Sequence, residues 1–435
     1  MLPLIAVVAL GAAMSAAASE PWTLERALSH TLTNSPDARL ARQRIVAAKA
    51  ALDQAKAAFW PQVQVQSSYM GSDNPMLVFG SILNQEAFSP SLDFNRVPDV
   101  DNLNVKGLVT APLYTGGQIG SRRKAARANA QASEFEAEAV RDALAFEVAR
   151  AFHAIHKARA FIEATEAAAR AYESNLAIAQ RRFEAGTLLR ADVLDVEVRL
   201  AQAREDLVRS RNALALSERA LRNLIGLEDT EFAVSLDVPS VAPPDAGEAG
   251  TRPELAAARS RENAAEANVR AARGGYYPTL SAFGSLDYDR GWRLEGEGES
   301  WTAGALLQWN LWDGQLTRAK VAEARASQES ANEQERKVRL AIDLETEQAR
   351  IGLNESTERL QVTEKAVAKA AESVELTRAR FEQGLSLASQ LLDAEAALTG
   401  ARVRRAEAEA DRRIAIAALR KALGLPQLQT DSASK

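Results

Sequence analysis

Arg182-Phe183-Glu184-Ala185-Gly186, followed by Val193-Leu194-Asp195, returns later in the chain as Arg380-Phe381-Glu382-Gln383-Gly384, followed by Leu391-Leu392-Asp393. The two copies stand 198 residues apart, and the register holds beyond them. Leu200 falls on Leu398, Ala203 on Ala401, Arg204 on Arg402 and Leu221-Arg222 on Leu419-Arg420. Ile225-Gly226-Leu227 falls on Leu423-Gly424-Leu425, and upstream Leu113-Tyr114-Thr115-Gly116 meets Leu311-Trp312-Asp313-Gly314. A duplicated unit fixes the architecture: the 435 residues form one tandem structure rather than two or three ordinary domains.

Upstream of each motif lies a proline-free run, 118–186 and 316–384. Its apolar residues recur every seven positions: Val148, Ile155, Ile162, Ala169, Leu176 and Phe183, then Leu353, Leu360, Val367, Val374 and Phe381. A sustained seven-residue step predicts long helices packed side by side as in a coiled coil. Ala151, Ala158 and Ala179, three residues further on, let neighbouring helices approach closely. Return helices over 191–225 and 389–423 keep the same step, through Val193, Leu200, Leu207, Leu214 and Leu221 in the first. Gly186 and Gly384 mark the turns, since glycine tolerates the positive φ of a helix end.

A shorter helical piece, 23–59, is interrupted at Pro36 and stopped by Pro61. It recurs at 252–273, with Pro253 opposite Pro36 and Pro278 opposite Pro61. Here the offset is 217, so repeat 1 holds 19 extra residues between Pro61 and Pro112. Between the short and long helices the period drops to two. Gln62, Gln64, Gln66 and Ser68 alternate with Val63, Val65 and Tyr69; Asn102, Asn104, Lys106 and Thr110 alternate with Leu103, Val105 and Val109. In the second repeat Ser281, Ser285 and Asp287 alternate with Leu280, Ala282, Leu286 and Tyr288. Trp301, Ala303, Ala305, Leu307 and Trp309 alternate with Thr302, Gln308 and Asn310. Such alternation predicts strands with one polar and one apolar face, one hairpin per repeat, joined by connectors at 71–100 and 289–299.

The fold expected is mainly α with a small membrane β part. Repeat 1 occupies 19–227, with hairpin 62–111. A linker with Pro239, Pro243 and Pro244 occupies 228–251, and repeat 2 occupies 252–426, with hairpin 279–310. Residues 427–435 read as a disordered tail. Met1 to Met14 are almost wholly apolar and lead into Ser15-Ala16-Ala17-Ala18, the pattern of a signal peptide over 1–18. No Lys or Arg precedes the apolar run, which an upstream start codon would supply.

An exported chain with amphipathic strands of this length suits an outer-membrane barrel. The parity of Lys106 puts it with Asn104 and Gln64 on the polar, lumen-facing side. Four strands cannot close a barrel, and an open sheet in lipid leaves backbone groups unpaired at several kcal/mol each. Copies of the chain must supply the rest. Two give eight strands and three give twelve, and passage of molecules favours the larger number.

Other chemistries are excluded. The net charge of −5 offers no basic surface for nucleic acid. Without cysteine there is no disulfide, thiolate or Cys-bound metal. His153 and His156 sit one helical turn apart but lack the further ligands a metal needs. No catalytic constellation or cofactor motif stands out, so neither enzyme activity, a metal nor a cofactor is expected.

Taken together, the double repeat, Phe59-Trp60-Pro61 and Tyr276-Tyr277-Pro278 before the strands, Pro112-Leu113-Tyr114-Thr115-Gly116-Gly117 after them, and the Arg-Phe-Glu-x-Gly turns resemble the TolC-like outer membrane efflux protein family. The resemblance runs from Trp22-Thr23-Leu24 to about Pro426. It implies a homotrimer in outer-membrane lipid, with a shared twelve-strand barrel and a long α-barrel narrowing in the periplasm. It implies an exit duct for drug efflux, metal efflux or type I secretion, working with a periplasmic adaptor protein and an inner-membrane transporter. A periplasmic coiled-coil spacer without a pore is the alternative, but a spacer needs no amphipathic strands.

The resemblance also implies site residues. Asp393 takes the position of an acidic pore constriction, while its acidic companion is replaced by Gln390. Asp192 keeps the acidic lock position of the first repeat, beside Ala191 in place of threonine. Ser386 stands where the lock has arginine, and Phe381 fills the aromatic position without a hydroxyl. Most of the polar lock is thus replaced, and closure must rest on other contacts. Gly186, Gly384, Phe183 and Phe381 mark the turns where adaptor hairpins dock.

Overall fold

The computed structural model describes residues 21–428, apart from 94, 229–231, 238–240 and 246. The signal-peptide reading at 1–18 lies outside the described residues, as do 429–435. Chain order is α1 (Leu24–Asn34), α2 (Pro36–Ala57), β1 (Gln62–Ser72), α3 (Pro75–Asn84), β2 (Val100–Tyr114), α4 (Gln118–Glu184) and α5 (Arg190–Ile225). Then follow α6 (Pro253–Arg273), β3 (Thr279–Arg290), β4 (Glu297–Gln308), α7 (Leu316–Glu382) and α8 (Ala388–Ala422). The chain is mainly helical with one small antiparallel sheet. It divides into two compact bodies, one built from 41–139 and 253–341, the other from residues up to 40, 140–252 and from 342 onward.

In the first body the strands pair in the order β1-β2-β3-β4, all antiparallel. Paired residues share a face, so register sorts the side chains. Gln64 pairs with Leu108, Gln66 with Lys106 and Ser68 with Asn104. Lys106 pairs with Asp287 and Asn104 with Asp289, which meet Ser300 and Gly298 on β4. One face is therefore largely polar across all four strands. Lys106 lies 3.3 Å from the Asp287 carboxylate. Asn104 donates to Asp289 at 3.1 Å, and Asn102 donates to the same carboxylate at 2.5 Å. The opposite face carries Val63, Val65, Leu286, Trp301 and Leu307, each more than 60% exposed. A soluble sheet buries such a face; a lipid-facing sheet leaves it bare.

The 71–100 connector is not structureless. Asn74 caps α3 by accepting from the Met76 N–H, and Pro75 takes the first helical position. Val78 and Ile82 are buried with Val100 of β2. The second connector is also tighter than 289–299, because β3 and β4 pair out to Arg290 and Glu297. Beside the sheet, Ala125 and Ala128 of α4 meet Ala264 and Ala267 of α6, where small side chains bring the two helices close.

The second body has its largest core where α1, α4, α5 and α8 converge: Leu24, Ala27 and Leu28 on Val148, Phe152 and Ile155, with Leu221, Ile225 and Ala417. Trp22 bridges in parallel to Val234, and Arg159 donates to the Val234 and Ser235 carbonyls. His153 lies buried here, while the His156 ring is tilted against Phe152 with centroids 4.9 Å apart. Burial holds both imidazoles down to about 4, helped at His153 by Arg413 and His156, and at His156 by Arg159 and Arg413. Gln427 and Leu428, counted with the tail in the sequence reading, are packed. Gln427 donates to the Ala417 carbonyl at 3.0 Å, and Arg420 donates to Pro426 at 2.6 Å.

Candidate functional site at the helix turns

The two Arg-Phe-Glu-x-Gly segments close α4 and α7 with the same backbone device. Gly186 adopts φ 74° and Gly384 φ 78°. The Thr187 N–H donates to Arg182 at 2.8 Å, and the Leu385 N–H donates to Arg380 at 2.8 Å. These bonds satisfy carbonyls the helix leaves open, and a Cβ would resist the left-handed backbone. Both glycines are exposed. Each return helix then starts alike: Asp192 accepts from the Leu189 N–H at 3.3 Å, and Gln390 accepts from the Leu387 N–H at 3.4 Å. The carboxylate at 192 and the amide at 390 thus hold the same capping position. Acceptance needs no charge, so glutamine caps its helix as the carboxylate does.

The equivalent phenylalanines differ. Phe381 is 1% exposed, packed with Ala388 and Leu391 of α8 against Ile178 and Leu188. Phe183 is 41% exposed, although it ends the same seven-residue stripe. Arg182 reaches across to Phe381. Its guanidinium donates to the Phe381 carbonyl at 2.6 Å and to the Thr187 carbonyl at 3.3 Å. It also lies 4.8 Å from the centroid of the Phe381 ring, within cation–π range. Arg182 therefore ties the α4 turn to the α7 turn.

Asp393 is exposed on α8. Two residues on, Glu395 is buried, 2.5 Å from Arg378 of α7 and 3.4 Å from the Asn175 amide of α4. Tyr172 of α4 is buried nearby, and burial, with the Glu395 charge, pushes its hydroxyl up. Ser386 donates to the Thr377 carbonyl at 3.4 Å. Among the described residues no hydrogen bond joins Asp192 to Phe381 or Ser386, so the expected lock positions do not bond to one another. The contacts that join helices here are Arg182 to Phe381 and Glu395 to Arg378 and Asn175. Sequence reading missed them. Glu395 had a signal, a carboxylate inside the Leu391-Leu392-Leu398 stripe. Arg182 had none, because its repeat mate Arg380 shares its identity.

The chain is similar to outer membrane protein OprJ of Pseudomonas aeruginosa, at 26% identity over 320 residues, 71% of this chain and 67% of OprJ. It is equally similar to TolC of Vibrio cholerae, at 26% over 314 residues, 69% of this chain and 72% of TolC. Its fold matches the outer-membrane channel OprN with a TM-score of 0.81, at 21% identity over 92% of this chain and 89% of OprN. It matches VceC of Vibrio cholerae with a TM-score of 0.79, at 20% identity over 93% of this chain and 97% of VceC. With a family model matching 27–227 and 249–425, across both repeats, the chain belongs to the outer membrane efflux protein family and is an outer-membrane exit channel of a tripartite efflux system.

Proposed function

We propose that three copies of this chain form one passive duct, each lending four strands to a shared barrel, and that the helix turns form its periplasmic mouth. The observation that carries the proposal is the sheet itself. Its faces are sorted into polar and apolar, and β1 and β4 are edge strands with one neighbour each. In lipid those edges need partners, and identical copies supply them by pairing β4 to β1. Lys106, Asn104 and Gln64 then line the lumen, where a charge is hydrated. The family consists of passive channels, so energy comes from an inner-membrane transporter through a periplasmic adaptor.

At the mouth, three copies of Asp393 form an anionic ring that favours cations and binds divalent ions. Gln390, committed to capping α8, adds no charge. The exposed turns at Gly186 and Gly384, with Phe183 half out of the packing, offer adaptor hairpins an open surface. Arg182 on Phe381, with the Glu395–Arg378–Asn175 cluster, holds the turns of one protomer together in place of the substituted lock. Mass measurement in detergent tests the whole reading. A trimer is expected, and a folded, stable monomer overturns it.

A further inference from the structure

α3 joins the strand ends away from those that lead into α2 and α4, which places it at the outer end of the barrel. Register also says on which side of the sheet it lies. Gly298 shares the face of Asp289, Asn104 and Lys106. A Cβ on Gly298 would come within 2.2 Å of the Asn84 carbonyl oxygen, and one on Gly291 within 2.2 Å of the Gln85 side chain. Gln85 is fully buried, and its amide donates at 2.8 Å to both the Asp101 carbonyl and the Asn102 side chain. The end of α3 is therefore pressed onto the polar face. Lipid lies on the other side.

Apart from Ser81, which is buried, and Asn84 at its last position, α3 consists of apolar residues and glycine. Val78 and Ile82 face the sheet, whereas Met76 and Leu83, on the opposite side, are 80% and 47% exposed. Gly80 lies between them with nothing near its Cβ position. Twelve strands about 4.8 Å apart and tilted about 40° close into a ring about 75 Å round, or about 24 Å across. Three helices about 10–12 Å thick, packed against each other, need a circle about 22–26 Å across. The backbone ring leaves less than its full width to the helices, so three of them at its rim cannot stay clear of one another.

We infer that the Met76–Gly80–Leu83 face of α3 packs against the same helix in the other two copies, closing the outer end of the duct with an apolar plug. This rests on the trimeric duct proposed above. Such a constriction excludes water and ions by dewetting and parts for cargo. The occupant is the chain itself, because the face points away from lipid and into a space bounded by identical subunits.

The natural chain has no cysteine, so single substitutions report cleanly. Met76→Cys and Leu83→Cys are placed in the full chain, with Gln64→Cys on the same sheet face as a control, and each oligomer is sized in detergent. Oxidation, or a short homobifunctional maleimide, is then applied. Covalent dimers are expected from Met76→Cys or Leu83→Cys and not from Gln64→Cys, since a disulfide requires Cα atoms within about 7 Å. Trimers in which neither α3 variant cross-links, or in which all three link equally, overturn the plug and leave the duct standing. An absence of trimers overturns both.

Discussion

At the residue scale, two side chains with the same repeat position have different energies. Phe381 fills a packed site, so Phe381→Ala should cost about 3–4 kcal/mol. Phe183→Ala should cost the protomer well under that, because 41% of its surface lies outside the protomer's own packing. Thermal unfolding of the two variants checks this; equal losses would refute the asymmetry. Glu395→Ala should destabilise by about 1–3 kcal/mol, since it strips Arg378 of its partner on a buried helix face. That range sits below the usual figure because the Arg378 side chain is 36% exposed. The double change Glu395→Leu with Arg378→Met should recover most of the loss.

His153 makes a pH prediction. Its folded value near 4 lies below the ordinary 6.5, so the unfolded chain binds the proton first. Stability is therefore complete above pH 6.5 and falls as pH drops toward 4. The His153 contribution is at most about 3 kcal/mol. Denaturant midpoints from pH 7 to 4 should decline in the natural chain and decline less in His153→Leu. A parallel decline in both would remove His153 from the account.

At the element scale, the strands and the turns each carry a rule that one substitution tests. Val65 and Gln64 are adjacent in β1 but on opposite faces. Val65→Lys should cost about 2–4 kcal/mol in a bilayer, while Gln64→Lys should fold normally. Folding yield into lipid vesicles separates them, and equal yields would mean the face assignment is wrong. The turn glycines hold positive φ, so Gly384→Ala should cost about 1 kcal/mol through backbone strain. Gly384→Trp should further impair coupling to the adaptor while leaving trimers intact. Normal efflux in that variant would argue against docking there.

At the scale of the whole molecule, the proposed duct depends on assembly. Asp393→Ala should change single-channel conductance and reduce its sensitivity to divalent cations, because in the proposed trimer one substitution removes three charges from the ring. No change in either would take Asp393 out of the constriction. Arg182→Ala should raise conductance by loosening the turn of every protomer at once; unchanged currents would show that the Phe381 contact does not hold the mouth.

The sequence by itself determined the long helices, the four strands and their order. Periodicity is a local property: an apolar residue every seven positions forms a helix that packs along one side, and alternation forms a strand with two unlike faces. Polar Lys106, Asn104 and Gln64 could be sorted onto one side by parity alone. Contacts between segments far apart in sequence were decided only by the tertiary structure. Phe183 and Phe381 read alike until Arg182 was seen beside one of them. Asp192 and Gln390 each cap the first turn of a return helix, a contact that stands beside the lock and pore roles the resemblance implies. The connector around α3 read as a loop because its short apolar run has no period. It becomes a helix because Gln85 finds Asp101 and Asn102, and Val78 finds Val100, and no local pattern encodes which distant partner a side chain will meet.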